Sequence, residues 1–261
     1  MFAAPIFLAI AGAAAPAFAA SSEINTADTA WMIVATALVL MMTIPGLALF
    51  YSGMVRKKNV LATMAQSLAA VMIISILWVA FGYSLVFVGD GPWIGTLDRF
   101  FLAGMSMDSV NPAAKTIPEA LFMLYQMTFA IIMVALVAGS VADRMRFSAY
   151  LLFSILWFVF VYVPLAHWVW GGGFLGAMGV LDFAGGLVVH LSAGIGGMTG
   201  TLLTGVFATA GIGGTSGLIE GNPHQLLLQF YGVAVTLVWS GGVTWALLRL
   251  VGAFVPLRVL R

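Results

Sequence analysis

The chain has 261 residues, of which 62% are hydrophobic and only 7% are charged, whereas an average soluble domain is roughly 25% charged. No soluble core of this length could bury so much apolar surface, so the composition excludes a soluble globular protein and indicates an integral membrane protein. The net charge of +1 argues against a nucleic-acid partner, and the absence of cysteine excludes disulfides and thiolate metal sites.

The N-terminus is apolar, then rich in small residues, and contains the sequence Ala17-Phe18-Ala19. This pattern is typical of a secretory signal with an A-x-A cleavage site. Because the positively charged start of such signals is lacking, a retained first membrane anchor is the alternative. We predict a signal peptide at residues 1–20 and a mature, exported chain that starts with the polar residues 21–28.

Six uncharged stretches follow, and each exceeds the roughly 18 residues that a helix needs to cross the hydrocarbon core of a bilayer. They are Thr29–Val55, Asn59–Gly89, Ala120–Ala142, Phe147–Leu181, Phe183–Ile219 and Gly221–Leu248. Residues 21–261 are therefore predicted to form an all-α, polytopic membrane helix bundle with about six transmembrane helices.

Lysine and arginine residues indicate the orientation of these helices, because cytoplasmic loops carry an excess of both. They cluster at residues 56–58, at residues 144–146 and near the C-terminus, whereas the long loop 90–119 is acidic overall. We therefore expect the mature N-terminus and loop 90–119 outside, and the two basic loops and the C-terminus in the cytoplasm. This pattern predicts a multi-pass protein of the plasma membrane, in bacteria the inner membrane.

Charge and span counting disagree after the fourth span. The segment 209–225 contains no lysine or arginine, so charge places it outside, and the C-terminal arginines then belong inside. A complete fifth and sixth crossing would give the opposite arrangement. Two explanations remain: an odd number of crossings is missing near residues 190–200, or the charge bias fails at the last helices.

His190 lies within the fifth of these stretches, far from any other titratable side chain. An ionisable ring at membrane depth is costly, which makes it a candidate for a transport or proton pathway. The alternative is a neutral histidine that is hydrogen-bonded to a neighbouring helix. Gly196 and Gly200 have the G-x-x-x-G spacing that predicts a close helix crossing here.

Four segments together resemble the ammonium transporter family (Amt/Mep/Rh). They are GLALFYSGMVRKKNVL at 46–61, YQMTFAIIMVALVAGSVADRM at 125–145, AHWVWGGGFLGAMGVLDFAGGLVVH at 166–190 and QFYGVAVTLVWSGG at 229–242. Members of this family usually have eleven spans. Residues up to about 193 resemble spans one to five, and the remainder resembles spans ten and eleven. The resemblance therefore indicates an internally deleted member that lacks spans six to nine.

The resemblance also implies roles for particular residues. Trp170 and Tyr125 match an outer site that recruits ammonium, and Phe129 matches a gate over the lumen. His190 matches the first of two facing pore histidines, whose partner belongs to the missing part. Asp182 matches an aspartate that orders the outer mouth, and from its position we expect it to cap the following helix by accepting backbone N–H bonds.

The predicted function is an ammonium transporter or channel that recruits ammonium at the outer aromatic site and conducts ammonia past the pore histidine. Alternatives are an ammonium sensor or scaffold, a transport-incompetent remnant, and a helical cytochrome with His167 and His190 as iron ligands. No catalytic motif is visible, so we predict no enzyme, no metal site and no cofactor. The resemblance implies a homotrimer in the lipid bilayer. It also implies a cytoplasmic PII signalling partner, although loops and a tail which that partner uses are missing from this sequence.

Overall fold

The computed structural model describes residues 24–142, 144–194 and 196–258. The helices longer than ten residues in this part of the chain are α1 (Thr26–Met54), α2 (Lys57–Phe87), α3 (Glu119–Val141), α4 (Phe147–Ala177), α5 (Gly196–Phe207) and α6 (Pro223–Phe254). All except α5 are long and apolar enough to cross a membrane. The prediction of an all-α membrane bundle is confirmed. The signal peptide predicted at residues 1–20 lies outside the described residues.

The bundle has two chemically different ends. At the loop end, the connection between α2 and α3 (residues 88–118) folds back over the helices, and the amide of Asn25 donates to the Thr116 carbonyl at 2.8 Å. At the basic end, the short connection between α3 and α4 lies beside the C-terminal segment, where the amide of Arg146 donates to the Leu257 carbonyl at 2.9 Å. The basic clusters at 56–58 and 144–146 therefore share one end with residues 255–258.

The core between α2 and α4 is aromatic. Trp78 makes edge contacts with Phe158 and Tyr162, with ring centroids 6.4 and 6.1 Å apart. Both helices widen into a π-helical turn at this level, at Trp78–Gly82 and Phe158–Tyr162. A Cβ on Gly82 would lie 2.6 Å from the Phe158 ring, so the glycine allows the two turns to meet. This rigid contact holds α4, and with it the candidate site, against the rest of the bundle.

The predicted span Phe183–Ile219 is not one continuous helix. It begins with a π-helical turn, Gly186–Leu191, and continues with α5 after a break that includes residue 195, outside the described residues. Gly197 of α5 packs against Gly186, His190 and Leu191, whereas Thr201, one turn later, packs against Gly186 and lies level with Leu181, because Gln229 donates to the carbonyls of both. Because these contacts run in opposite chain directions, the π-helical turn and α5 form an antiparallel hairpin. We call residues 182–207 the re-entrant hairpin.

The re-entrant hairpin begins and ends at the loop end of the bundle. Its first residues lie beside α6, where Gln229 bonds the backbone of Leu181, and its last turn lies there too, because Gly205 packs against the same Gln229. The segment therefore enters from one end, reaches the level of His190 and returns. Helix α6 then runs from the loop end to the basic end, which removes the disagreement between charge and span counting.

Glycines allow this segment to turn back on itself. The close helix crossing predicted from the G-x-x-x-G spacing is not found at Gly200. A Cβ on Gly200 would meet no atom within 4 Å, so this glycine is not at a close helix crossing. Gly197 is at the close contact instead: a Cβ there would lie 2.8 Å from the His190 Cβ and 2.5 Å from the Leu191 amide nitrogen. Gly185, with φ at +76°, supplies the left-handed residue that starts the π-helical turn.

Candidate functional site

Three aromatic side chains predicted to act together form a continuous cluster near the loop end. Tyr125 and Phe129 lie one turn apart on α3, with ring centroids 5.0 Å apart in an edge contact. Phe129 makes a second edge contact with Trp170 of α4, at 5.9 Å. All three rings are half-buried. We call them the aromatic trio; such rings attract small cations by their faces.

Trp170 joins the aromatic trio to the re-entrant hairpin. Its indole Nε1 donates to the Asp182 carbonyl at 2.9 Å, and its ring edge lies next to Gly185. The helical pattern of α4 is interrupted at Gly171–Gly173, directly after Trp170, and the chain bends there. A solute that leaves the aromatic trio at Trp170 would thus meet the first residues of the hairpin next.

The Asp182 carboxylate organises those first residues. Its Oδ2 accepts hydrogen bonds from the amides of Leu187 at 3.2 Å and Val188 at 3.0 Å. These are the backbone bonds expected of a capping side chain. Burial raises the pKa of Asp182, while the amides of Val188, Gly186 and Leu187 and the nearby His190 act in the opposite direction. Among the described residues, the Asp182 carboxyl group thus bonds backbone amides rather than an arginine or lysine.

These bonds give a prediction for stability. Asp182→Ala is expected to lower the unfolding free energy by about 1 kcal/mol, because the amides of Leu187 and Val188 lose their acceptor. Asp182→Asn keeps an oxygen at the same place and should cost less. Thermal unfolding of the two purified variants measures the difference. Equal losses, or a larger loss for asparagine, would contradict a capping role.

His190 lines a cavity of about 540 Å³ that opens between the hairpin, α1 and α3. Asp182 and Gly186 of the hairpin line this cavity, together with Tyr51 of α1 and Leu136 of α3. The imidazole is exposed to the cavity, and no hydrogen bond to its ring is found among the described residues. The alternative interpretation, a neutral His190 that is hydrogen-bonded to a neighbouring helix, is therefore not supported by any hydrogen bond in the part of the chain that the structure describes.

Sequence reasoning missed several residues of this site. Tyr51 lines the cavity and donates from its hydroxyl to the Leu136 carbonyl at 3.1 Å. Thr201 and Thr204 add two hydroxyls from α5 to the wall. Tyr51 lies in segment 46–61, one of the segments that resemble the ammonium transporter family, and this position could have indicated it as a site residue. No sequence pattern could have identified the two threonines, because only the antiparallel return of α5 brings them to the cavity.

His167 has a different environment from His190. It is fully buried, its Nδ1 lies 2.8 Å from the Val86 carbonyl oxygen and its Nε2 lies 2.6 Å from that of Gly91. Both ring nitrogens are thus engaged by backbone oxygens of α2 and the following loop, and neither is directed at His190. This arrangement removes the basis for treating the two histidines as ligands of one haem iron. Within residues 24–142, 144–194 and 196–258, no cluster of three potential metal ligands is found.

Comparison with known proteins identifies relatives of the whole described bundle. The model of the Ammonium Transporter Family matches residues 30–202 and, in a second segment, residues 194–261. The ammonium transporter of Bacillus subtilis is 47% identical over 214 residues, which are 82% of this chain and 50% of the relative. Ammonium transporter Amt1 of Archaeoglobus fulgidus is 39% identical over 217 residues, with the same two coverages, 82% and 50%.

Solved structures give the same result for the fold. Candida albicans Mep2 has a TM-score of 0.59 and 30% identity, over 86% of this chain and 49% of that one. Saccharomyces cerevisiae Mep2 has a TM-score of 0.82 over 91% of this chain and 90% of that one, but its 21% identity makes this a likeness of fold alone. The chain spans about half the length of the curated relatives it matches. On the family match, which extends over nearly all of its length, the chain belongs to the Ammonium Transporter Family.

Proposed function

We propose that this chain moves ammonium across a membrane by binding the cation at the aromatic trio and conducting ammonia through the cavity at His190. The observation that carries the proposal is the exposed imidazole of His190 in a cavity that Asp182 also lines, together with the bond from Trp170 of the aromatic trio to the Asp182 carbonyl. Family membership supports ammonium as the substrate. Multi-pass insertion and a transporter's fold follow from the family and the helices.

The physical problem is the charge of the substrate. Moving a small cation from water into a medium of low dielectric constant costs on the order of 20 kcal/mol by an ideal Born estimate. The faces of Tyr125 and Trp170 offer roughly 0.5–2 kcal/mol each, which recruits ammonium without trapping it. The remaining barrier falls if ammonium transfers its proton to water at the outer mouth and neutral ammonia continues. In this proposal Phe129 gates the entrance, and the His190 ring exchanges hydrogen bonds with the neutral molecule.

Orientation and assembly are part of the same proposal. The loop end, with the aromatic trio, faces the outside, and the basic end faces the cytoplasm of a bacterial inner membrane, in agreement with the distribution of lysine and arginine. A mature N-terminus outside follows from this placement. We further propose a homotrimer, by analogy with the family, while a PII signalling partner at the basic end has the weaker support already described.

A second candidate is a transport-incompetent remnant or an ammonium-sensing scaffold. The observation that favours it is that the cavity is not enclosed and that His190 is the one histidine among the residues that line it. In this alternative the aromatic trio still binds ammonium, but no enclosed path leads to the basic end. Uptake and binding measured on the same protein separate the two candidates.

Methylammonium uptake in a transporter-null strain tests the proposal. His190→Ala is expected to reduce the uptake rate by about tenfold or more, because the imidazole that exchanges hydrogen bonds with ammonia in the cavity is removed. The matched control is His224→Ala, the same substitution at an exposed histidine at the start of α6. Equal uptake by the His190→Ala variant and the wild-type chain would remove His190 from the mechanism. No uptake by the wild-type chain, with normal membrane insertion, would favour the remnant.

A further inference from the structure

The loop between α2 and α3 contains a short 3₁₀ turn, Phe100–Leu102, that exposes two large apolar side chains. Phe100 and Phe101 are 48% and 63% exposed, and their rings make an edge contact with centroids 4.7 Å apart. Leu102 is partly buried and packs against the hydrophobic core of the bundle. The turn is thus fixed to the bundle on one side and presents an aromatic pair on the other, which is typical of a surface that meets an apolar environment.

The backbone of this turn is strained. Phe101 has φ at +48° and ψ at +36°, and Leu102 has φ at +59°, in the left-handed region that bulky residues rarely adopt. The Arg99 guanidinium braces the turn, because it donates to the Ala103 carbonyl at 3.0 Å and to the Glu119 carboxylate at 3.2 Å. Strain of this kind persists only where the surrounding structure imposes it, and it is often associated with a function.

Hydrogen bonds hold the turn against the side of α2. The amide of Gly95 donates to the Leu85 carbonyl at 2.8 Å, and the amide of Arg99 donates to the Ser84 hydroxyl at 2.9 Å. The 3₁₀ turn that follows packs beside the π-helical turn Trp78–Gly82. After leaving α2, the loop therefore runs back along this helix, towards the middle of the bundle.

The start of α3 shows where the apolar part of the bundle begins. The Tyr83 hydroxyl donates to the carboxylate of Glu119, the first residue of α3, at 2.9 Å. The 23 residues of α3 span about 34 Å, close to the roughly 30 Å of a hydrocarbon core, whereas α2 with 31 residues extends further. The level of Tyr83 is therefore near the boundary of the hydrocarbon, and Phe100–Leu102 packs against the residues on the membrane side of Tyr83.

We propose that Phe100 and Phe101 insert into the bilayer at the loop end and anchor the loop 88–118 to the lipid. The level of the turn identifies lipid as the occupant of its exposed face, because the turn lies beside a membrane-spanning helix where the hydrocarbon begins. Ile76 of the same helix, closer to the middle of the membrane, is 66% exposed. Apolar side chains of interfacial segments reach about 5–10 Å into the boundary between head groups and acyl chains. This inference requires a membrane but does not depend on ammonium transport.

Single cysteine variants test the anchor, since the chain has no cysteine of its own and a nitroxide label therefore reacts at one position. Phe100→Cys and Phe101→Cys place the label on the turn, and both replace an exposed side chain. Ile76→Cys provides the reference for lipid, and Asp108→Cys, exposed in the same loop, provides the reference for water. Each labelled full chain is reconstituted into phosphatidylcholine vesicles. Collisions of the label are measured with oxygen, which concentrates in hydrocarbon, and with a Ni(II) chelate, which stays in water.

We expect the labels at residues 100 and 101 to collide with the chelate about tenfold less often than the label at Asp108, because a polar complex is excluded from hydrocarbon. Their collisions with oxygen should be as frequent as those of the label at Ile76. Two positions are used so that a local disturbance at one of them does not decide the result.

Equal accessibility to the chelate at residues 100, 101 and 108 would overturn the anchor. Labels shielded from both oxygen and the chelate would mean that protein, such as a second copy of this chain, covers the aromatic pair, and this result would also overturn it. The measurement is independent of uptake. A chain that takes up no methylammonium but holds both labels in lipid would reject the proposed function and support the anchor.

Discussion

Gly197→Val is expected to destabilise the re-entrant hairpin and to abolish uptake. A Cβ at this position would lie 2.5 Å from the Leu191 nitrogen and 2.8 Å from the His190 Cβ, and would also contact the Gly186 carbonyl oxygen. Two of these three atoms belong to the backbone and cannot rotate away, so α5 must move off the π-helical turn. Overpacking of this kind typically costs about 1–3 kcal/mol and sometimes more. Thermal unfolding of the purified variant and methylammonium uptake measure the two effects.

Gly200→Ala is the matched control for this prediction. It adds a Cβ to the same helix at a position where no atom lies within 4 Å. Alanine also favours the helix over glycine by about 1 kcal/mol. We therefore expect unchanged uptake and equal or greater stability. Wild-type stability of Gly197→Val would contradict the antiparallel packing of α5 against the π-helical turn.

Composition and charge predicted more of the fold than hydropathy did. The five spanning helices coincide with five of the six uncharged stretches, because long apolar segments have few alternatives to a helix in a bilayer. The segment Phe183–Ile219 has the same apolar character but too many glycines to form one helix. Hydropathy cannot distinguish a membrane crossing from a re-entrant hairpin. The distribution of lysine and arginine could, because the orientation that it predicted disagreed with the number of spans counted from hydropathy. The end of α6 lies at the same end of the bundle as the basic segment at residue 146, in agreement with the lysine and arginine distribution.

The candidate site was predictable only where local spacing determines contact. Tyr125 and Phe129 are four residues apart on one helix, so their contact follows from the helical repeat. The contact of Trp170 with Phe129 could be expected only from the family resemblance, because it joins α4 to α3. Thr201 could not be identified at all: its position beside Gly186 depends on the return of α5, which no periodicity in the sequence indicates.

Replacing Gln229 is expected to cause the second large loss of stability, because this residue of α6 bonds the backbone at the start of the re-entrant hairpin. Its fully buried amide accepts from the Leu181 nitrogen at 2.7 Å and donates to the Leu181 carbonyl at 2.7 Å and the Thr201 carbonyl at 3.2 Å. Gln229→Leu has a similar volume but leaves these backbone groups without their partner. Each unsatisfied buried group costs about 1–3 kcal/mol, so we expect a total loss of about 2–5 kcal/mol.

That loss corresponds to a decrease of about 5–15 °C in the unfolding temperature of a chain of this size. Gln66→Leu provides the control, since this buried glutamine of α2 has an Oε1 without a hydrogen-bond partner among the described residues. The same substitution there removes an unsatisfied group and should leave stability unchanged or higher. Uptake should fail in Gln229→Leu and persist in Gln66→Leu, because only Gln229 holds the start of the hairpin beside Trp170. Similar unfolding temperatures for the two variants would mean that apolar packing alone fixes the hairpin, and that the polar anchor at Leu181 has no role in positioning His190.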